Sequence, residues 1–151
     1  MKLKEILLPE NVFPDLRAKS RDEALAELIA AVRAEFPAPR GQLLKLLIER
    51  EDQSPTAMSS GVAVPHVRIA ELDRFILALG RSRLGLPFGA DDGLTNIFFL
   101  LLAPTNDTVT HLKILARIAR ISRNPHWRAE VMAAKTAPEI YERIMTEDAG
   151  T

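Results

Sequence analysis

Residues 50–66 read REDQSPTAMSSGVAVPH: a charged helix end, then a turn-rich segment, then a short apolar run. The run from Gly61 to Val64 predicts a short buried strand, after which Pro65 fixes the backbone angle. We expect His66 to leave that strand onto a loop, where functional side chains usually lie. Since histidine is the side chain that titrates near neutrality, His66 is a candidate for chemistry. The alternative is a hydrogen-bonded histidine with a purely structural role.

Helices are predicted upstream of this segment. A capping box at Ser20–Glu23 opens a helix with an apolar face that ends at Pro37. A second helix runs from about Gly41 to Asp52, and its acidic end, including Glu49 and Glu51, is expected to be solvated.

Strands and further helices are predicted on either side. Strands are expected at residues 4–8, at Phe75–Arg81 and at Asn96–Ala103, with turns from Gly85 to Gly93 between the last two. Three later helices are expected: one with an apolar stripe of Leu112, Leu115, Ile118 and Ala119, one opened by Asn124-Pro125, and one from Ala137 to Met145. Strands mixed with helices at both ends predict an α/β fold, with one sheet covered by helices.

The composition is that of a soluble globular protein, and residues 1–151 fit one domain. Twenty Lys and Arg balance twenty Asp and Glu, so no net basic field favours nucleic acid or an anionic membrane. Cysteine is absent, which excludes disulfides and thiolate chemistry. The longest apolar run, Ile97–Ala103, is far shorter than the roughly 20 residues of a membrane helix. With no recognisable signal peptide, we expect a cytoplasmic protein that does not insert into membranes.

Two further histidines complete the set of three. His111 follows Thr108-Val-Thr110 and is expected in the first turn of a helix, where free amides favour an anion and disfavour imidazolium. A solvated residue at a helix start is the alternative. His126, beside Trp127, is most simply a surface residue.

No motif supports a metal or a nucleotide cofactor. His66 and His111 could bind a metal together with a carboxylate, but no local pair of histidines has metal-ligand spacing. Phosphate-binding glycine motifs and the nucleophile elbow of hydrolases are also absent. We therefore expect neither a cofactor nor a metal.

The segment from Arg50 to His66 resembles the active-site segment of the fructose/mannitol-type IIA domains of the bacterial phosphotransferase system, which typically read Arg-Glu-x-x-x-Ser-Thr-Gly-Ile-Gly-x-Gly-Ile-Ala-Ile-Pro-His. Segments 85–93, 97–104 and 111–119 are similar to the family's later turn, strand and second-histidine helix, in the same order. Leu8-Pro-Glu-Asn-Val12 and the segment 20–25 are similar to its nitrogen-regulatory branch.

The resemblance implies the IIA fold, with a single mixed sheet flanked by helices on both faces, and a phosphoryl relay. It implies that His66 accepts a phosphoryl group from the histidine phosphocarrier protein, with His111 in support. Arg50 would stabilise the phosphoryl group and Thr56 would supply a hydroxyl. It also implies an acceptor partner, either a IIB or permease component or a regulatory target, and hence a phosphotransferase component.

Four positions depart from the family pattern. Pro55 stands where serine is usual, Ala57 and Ser59 replace glycines, and Val67 replaces the glycine that commonly follows the histidine. If the lost glycines require positive φ, the loop must be shaped differently here.

Three functions follow as hypotheses. The first is an active phosphocarrier, serving either sugar transport or nitrogen-type regulation, with the opening residues favouring regulation. The second is a binding module of the same fold in which phosphorylation is impaired, as the missing glycines suggest. The third is a hydrolase with His66 as nucleophile, which no evident acid–base partner beyond His111 supports.

Overall fold

The computed structural model describes residues 1–89 and 93–150, which form a five-stranded sheet between two layers of helices. The strands are β1 (Leu7–Phe13), β2 (Val62–Ala63), β3 (His66–Ile69), β4 (Ile76–Pro87) and β5 (Leu94–Pro104). The helices are α1 (Arg21–Ala31), α2 (Arg40–Gln53), α3 (Thr108–Ser122), α4 (Pro125–Ala133) and α5 (Ala137–Ala149), and a 3₁₀ turn at Leu3–Glu5 precedes β1. The predicted α/β fold is confirmed.

The sheet is mixed, in the order β1-β4-β5-β2, with β3 also paired to β5. Only β4 and β5 run antiparallel among the described pairs. Val62 pairs with Ile97 and His66 pairs with Leu101, so β2 and β3 share one register along β5. β2 and β3 together form one edge of the sheet, which is interrupted at Pro65. Proline is tolerated at a sheet edge.

Each face of the sheet is covered by its own group of helices. Phe99 and Leu101 of β5 pack with α3, α4 and α5, whereas Phe98 and Leu100 pack with α1 and α2. Because both faces are buried, β5 reads as a continuous apolar run rather than as an alternating one.

The first strand begins and ends later than predicted. Residues 3–5 form the 3₁₀ turn, and β1 continues past Pro9 to Phe13. Pro9 fits because β1 is an edge strand and its register against β4 shifts between Leu7 and Val12.

The first helix is shorter than predicted. α1 ends at Ala31, and the Arg40 guanidinium donates to the carbonyl oxygens of Ile29 and Val32 at 2.6 and 2.8 Å. These contacts satisfy carbonyl groups that a helix end leaves unpaired, so the chain turns well before Pro37.

The predicted turn at Gly85–Gly93 is only partly visible. β4 continues to Pro87, which pairs with Leu94, and residues 90–92 lie outside the described residues. None of the helices in residues 1–89 and 93–150 has the length and apolar character that crossing a bilayer requires.

Candidate functional site

His66 is the first residue of β3, so the expectation that it lies on a loop is wrong. The register of β2 continues through Pro65, whose carbonyl accepts a hydrogen bond from Leu101 N at 3.0 Å. The side chain is half-buried and is held by the sheet itself.

The ring of His66 has a defined tautomer. Its Nδ1 lies 2.7 Å from the carbonyl oxygen of Val64. Because a carbonyl only accepts, Nδ1 carries the proton and Nε2 keeps its lone pair. Burial lowers the pKa of His66 against the opposing effect of the Val64 carbonyl, and the charges of Arg50 and Arg68 lower it further. The neutral imidazole therefore dominates at neutral pH.

Arg50 approaches His66 from the last turn of α2. Its Nη2 lies 3.3 Å from His66 Nε2, and its Nη1 donates to the carbonyl oxygen of Ser54 at 3.1 Å. The second contact fixes the guanidinium beside the free nitrogen of the ring, where it can meet an anion bound there.

His111 is brought to the same place by α3. β3 and β5 are parallel and Ile69 pairs with Pro104, so the helix that begins at Thr108 folds back past β3. The rings of His66 and His111 lie 5.5 Å apart between centroids and are nearly perpendicular, at 86°. Two histidines 45 positions apart in the sequence thus form one site.

The ring of His111 is buried, with 4% of its surface exposed. Its Nδ1 accepts a hydrogen bond from Arg68 Nε at 3.1 Å, whereas its Nε2 has no hydrogen-bond partner among the described residues. Burial, with the charges of His66 and the nearby arginines, lowers the pKa of His111 to about 4. The neutral form of His111 is therefore favoured, as its position near a helix start predicted. Burial, however, is the main cause.

Thr56 is held away from this cluster. Its hydroxyl donates to Glu51 Oε1 at 3.0 Å, and its backbone N–H donates to Glu51 Oε2 at 2.6 Å. The single hydroxyl proton is therefore used within the loop. The structure joins His66, His111 and Arg50 and leaves Thr56 bonded to Glu51.

Glu51 is buried, with 1% of its surface exposed, so the expectation that it is solvated is wrong. Burial raises the pKa of its carboxyl, against the lowering effect of the two Thr56 hydrogen bonds. The spacing Leu43, Leu47, Glu51 places it on the inward face of α2, and this period was the signal that could have identified it.

The replaced glycines leave no backbone strain. Glu71 is the one non-glycine residue with positive φ in residues 1–89 and 93–150, so Ala57, Ser59 and Val67 have ordinary φ angles. Gly61, which has φ of 89°, is the position in the segment that needs glycine.

An open depression of about 510 Å³ surrounds the two rings. It is lined by Arg50, His66, Val67, Arg68, His111, Leu112 and Leu115. Of the apolar stripe predicted for α3, Ile118 is buried whereas Leu112 is 59% exposed; the buried apolar residues of α3 are Ile114, Ile118 and Ile121. Within the described residues there is no cluster of three or more potential metal ligands.

The third histidine, His126, does not line this depression. His126 has a side chain that is 82% exposed, with its Nε2 3.6 Å from Glu130, as expected for a surface residue.

Arg68, by contrast, belongs to the site although sequence reasoning assigned it no role. Only the crossing of β3 and α3 brings it to His111.

The chain is similar to proteins of known type over almost its whole length. Residues 5–147 match the family described as phosphoenolpyruvate-dependent sugar phosphotransferase system, EIIA 2. A nitrogen regulatory protein of Bradyrhizobium diazoefficiens is 34% identical over 143 residues, covering 93% of this chain and 93% of that protein. The fructose-specific EIIABC component of Bacillus subtilis is 25% identical over 98% of this chain but 24% of that longer protein. The crystal structure of the nitrogen regulatory protein IIA-Ntr from Neisseria meningitidis matches with a TM-score of 0.88 at 27% identity, covering 94% of this chain and 98% of that one.

These matches agree with the resemblance carried by residues 50–66 and with the mixed sheet between helical layers. The family match covers well over half of the chain, and both named histidines fall within it. The chain belongs to the EIIA 2 family of the phosphoenolpyruvate-dependent sugar phosphotransferase system.

Proposed function

We propose that this protein is a phosphoryl carrier that accepts a phosphoryl group on His66 Nε2. The donor is the phosphorylated histidine phosphocarrier protein, and the group then passes to a second protein. The observation that carries the proposal is the contact of His66 Nδ1 with the Val64 carbonyl, which leaves Nε2 as a nucleophile beside Arg50.

The transfer balances without a cofactor. The lone pair of His66 Nε2 attacks phosphorus and forms the new N–P bond. The N–P bond of the donor histidine breaks, and its nitrogen leaves with the electron pair. The proton on His66 Nδ1 stays in place, and the Val64 carbonyl stabilises the positive charge that the phosphorylated ring acquires. The second transfer is the reverse of this step towards a different protein.

Two side chains next to His66 can stabilise the negative charge that develops on the phosphoryl oxygens. Arg50 already faces Nε2 and can move its donors onto the incoming anion. His111 presents an Nε2–H that has no partner in residues 1–89 and 93–150, from a ring that neighbours His66. Phosphoryl transfer depends mainly on positioning and charge stabilisation, and both groups supply these. Thr56 would contribute its hydroxyl only by releasing Glu51.

The surface around His66 suits a protein donor better than a small substrate. The depression is open, and the apolar side chain of Leu112, which lines it, is 59% exposed; Val109, in the first turn of α3, is 64% exposed. A carrier must present its histidine to two proteins in turn, and exposed apolar groups around the site can contact both.

We propose regulation rather than sugar uptake as the destination. Nitrogen regulatory proteins from two organisms match this chain, and each alignment covers more than nine tenths of this chain and of the relative. The acceptor would then be a regulatory target protein, whereas a IIB or permease component is the alternative. A phosphorylation-impaired binding module is less well supported, because the replacements Ala57, Ser59 and Val67 all have ordinary φ angles.

The test is the intact mass of the purified protein after incubation with phosphoenolpyruvate, enzyme I and the histidine phosphocarrier protein. We expect an acid-labile gain of one phosphoryl group, absent in His66→Ala and retained in the matched variant His126→Ala, whose ring is exposed. No gain, while a known IIA domain is labelled in the same tube, would refute the carrier function. A gain in His66→Ala would refute the assignment of His66.

A further inference from the structure

Arg68 makes two specific contacts on the face of β3 that carries His66. Residues 66 and 68 lie two apart on one strand, so their side chains share a face. Arg68 Nε donates to His111 Nδ1 at 3.1 Å, and Arg68 Nη1 donates to the hydroxyl of Thr108 at 3.2 Å. Arg68 is exposed to solvent, yet its guanidinium is hydrogen-bonded to the first turns of α3.

The first contact determines the tautomer of His111. A neutral imidazole has one N–H, and the nitrogen that accepts from Arg68 cannot carry it. The proton must lie on Nε2, which is buried and has no partner among the described residues. A buried donor without a partner keeps the cost of its lost hydration, so such a group is uncommon unless a ligand satisfies it.

The position of that donor suggests its ligand. The ring of His111 meets the ring of His66 at 86° with 5.5 Å between centroids. A phosphoryl group on His66 Nε2 would place acceptor oxygens in the same depression, which His111 also lines. The orphaned N–H would then have an acceptor.

We propose that Arg68 is a positioning residue that holds His111 in the Nε2–H tautomer, so that His111 donates to a phosphoryl group on His66. Only the donation from His111 to a phosphoryl group rests on the proposed carrier function. The tautomer itself is a property of the unphosphorylated protein. The role depends on the Nε–H of arginine, so lysine, which keeps the charge but not the planar fork, does not replace it.

The tautomer is measured by ¹⁵N NMR of the histidine rings in the unphosphorylated protein at neutral pH. We expect the wild type to show one tautomer of His111, protonated at Nε2, and Arg68→Met and Arg68→Lys to show a mixture. Arg83→Met is the matched control, because Arg83 is an exposed arginine on β4 that pairs with Asp15. An Nδ1–H tautomer in the wild type, or no change in both Arg68 variants, would overturn the inference.

The second readout is the lifetime of the phosphorylated protein once the donor is removed. We expect the phosphoryl group to be lost roughly tenfold faster in both Arg68 variants, since a hydrogen bond to a charged group is weakened. A changed tautomer with an unchanged lifetime would refute the role at the phosphoryl group. Failure of the wild type to take up phosphoryl would refute the carrier function while leaving the tautomer result standing.

Discussion

His66 Nδ1 donates its proton to the carbonyl oxygen of Val64 at 2.7 Å, two residues back along the same edge of the sheet. The contact decides which nitrogen of the ring is available for bonding. Val64 lies between β2 and β3, which share one register along β5, so the backbone on both sides of this carbonyl is paired in the sheet.

This contact predicts the isomer of phosphohistidine that forms. We expect the phosphoryl group on Nε2, because Nδ1 is occupied by a proton bonded to Val64. The ³¹P and ¹⁵N NMR spectra of the phosphorylated protein distinguish the two isomers. Phosphorylation at Nδ1 would contradict the assigned tautomer.

Removal of the Arg50 guanidinium should impair transfer without unfolding the protein. Arg50 is part-exposed, and its contacts are to His66 Nε2 and the Ser54 carbonyl. We expect Arg50→Gln to slow phosphoryl uptake by roughly 100-fold, as for loss of one donor to a developing anion. Rapid-quench labelling gives the rate, and Arg74→Gln, at an exposed arginine, is the control. Equal slowing in both variants would contradict the role.

The hydrogen-bonded pair of Glu51, which is buried, and Thr56, which is half-buried, should act as a unit in stability. Glu51→Gln replaces an acceptor of the Thr56 amide, and Thr56→Val removes the hydroxyl donor. We expect each variant to lower the free energy of unfolding by about 1–3 kcal/mol, with the double variant losing less than the sum. Urea unfolding measures this, and Glu49→Gln, on the exposed side of α2, should be neutral. Additive losses would contradict a direct coupling.

The sequence predicted the layers of the fold, and it named three residues, His66, His111 and Arg50, that the structure brings together. The apolar run of β5 and the helix starts at Ser20 and Asn124 are local signals, and the structure bears them out. The pairing of His66 with His111 came from the family resemblance, since no local pattern joins residues that far apart.

The rest depended on contacts between distant segments. The early end of α1 is capped by Arg40, which lies nine residues beyond Ala31, and Arg68 meets His111 where β3 and α3 cross. Glu51 could have been placed by its spacing from Leu47, but a carboxylate is an uncommon choice for an inward position.

Stability should fall as the pH is lowered below the ordinary pKa of histidine. The pKa of His111 is lowered from 6.5 to about 4 by burial, so the unfolded chain binds this proton more readily than the folded protein does. The stability held by the neutral ring is present above pH 6.5 and is lost progressively towards pH 4, with a slope of up to about 1.4 kcal/mol per pH unit. Urea unfolding at several pH values in this range gives the free energy of unfolding. Its change per pH unit should be smaller in His111→Gln than in the wild type. Equal slopes would mean that His111 titrates normally when folded.

The exposed leucine beside the site should matter for the protein donor and not for the chemistry. Leu112 is 59% exposed next to His111, so Leu112→Glu should change the free energy of unfolding by less than about 0.5 kcal/mol. We expect it to slow uptake from the histidine phosphocarrier protein by roughly tenfold or more, because a charge is placed where an apolar contact forms. Uptake from phosphoramidate, a small donor that needs no docking surface, should be unchanged.

Leu84→Glu is the matched control, since Leu84 is 90% exposed on β4 and does not line the depression. It should leave both donors unaffected. If Leu112→Glu slowed phosphoramidate as much as the protein donor, the side chain would act on His66 and His111 rather than on docking. If it slowed neither, the donor protein would have to approach His66 from the side of Arg50 and α2.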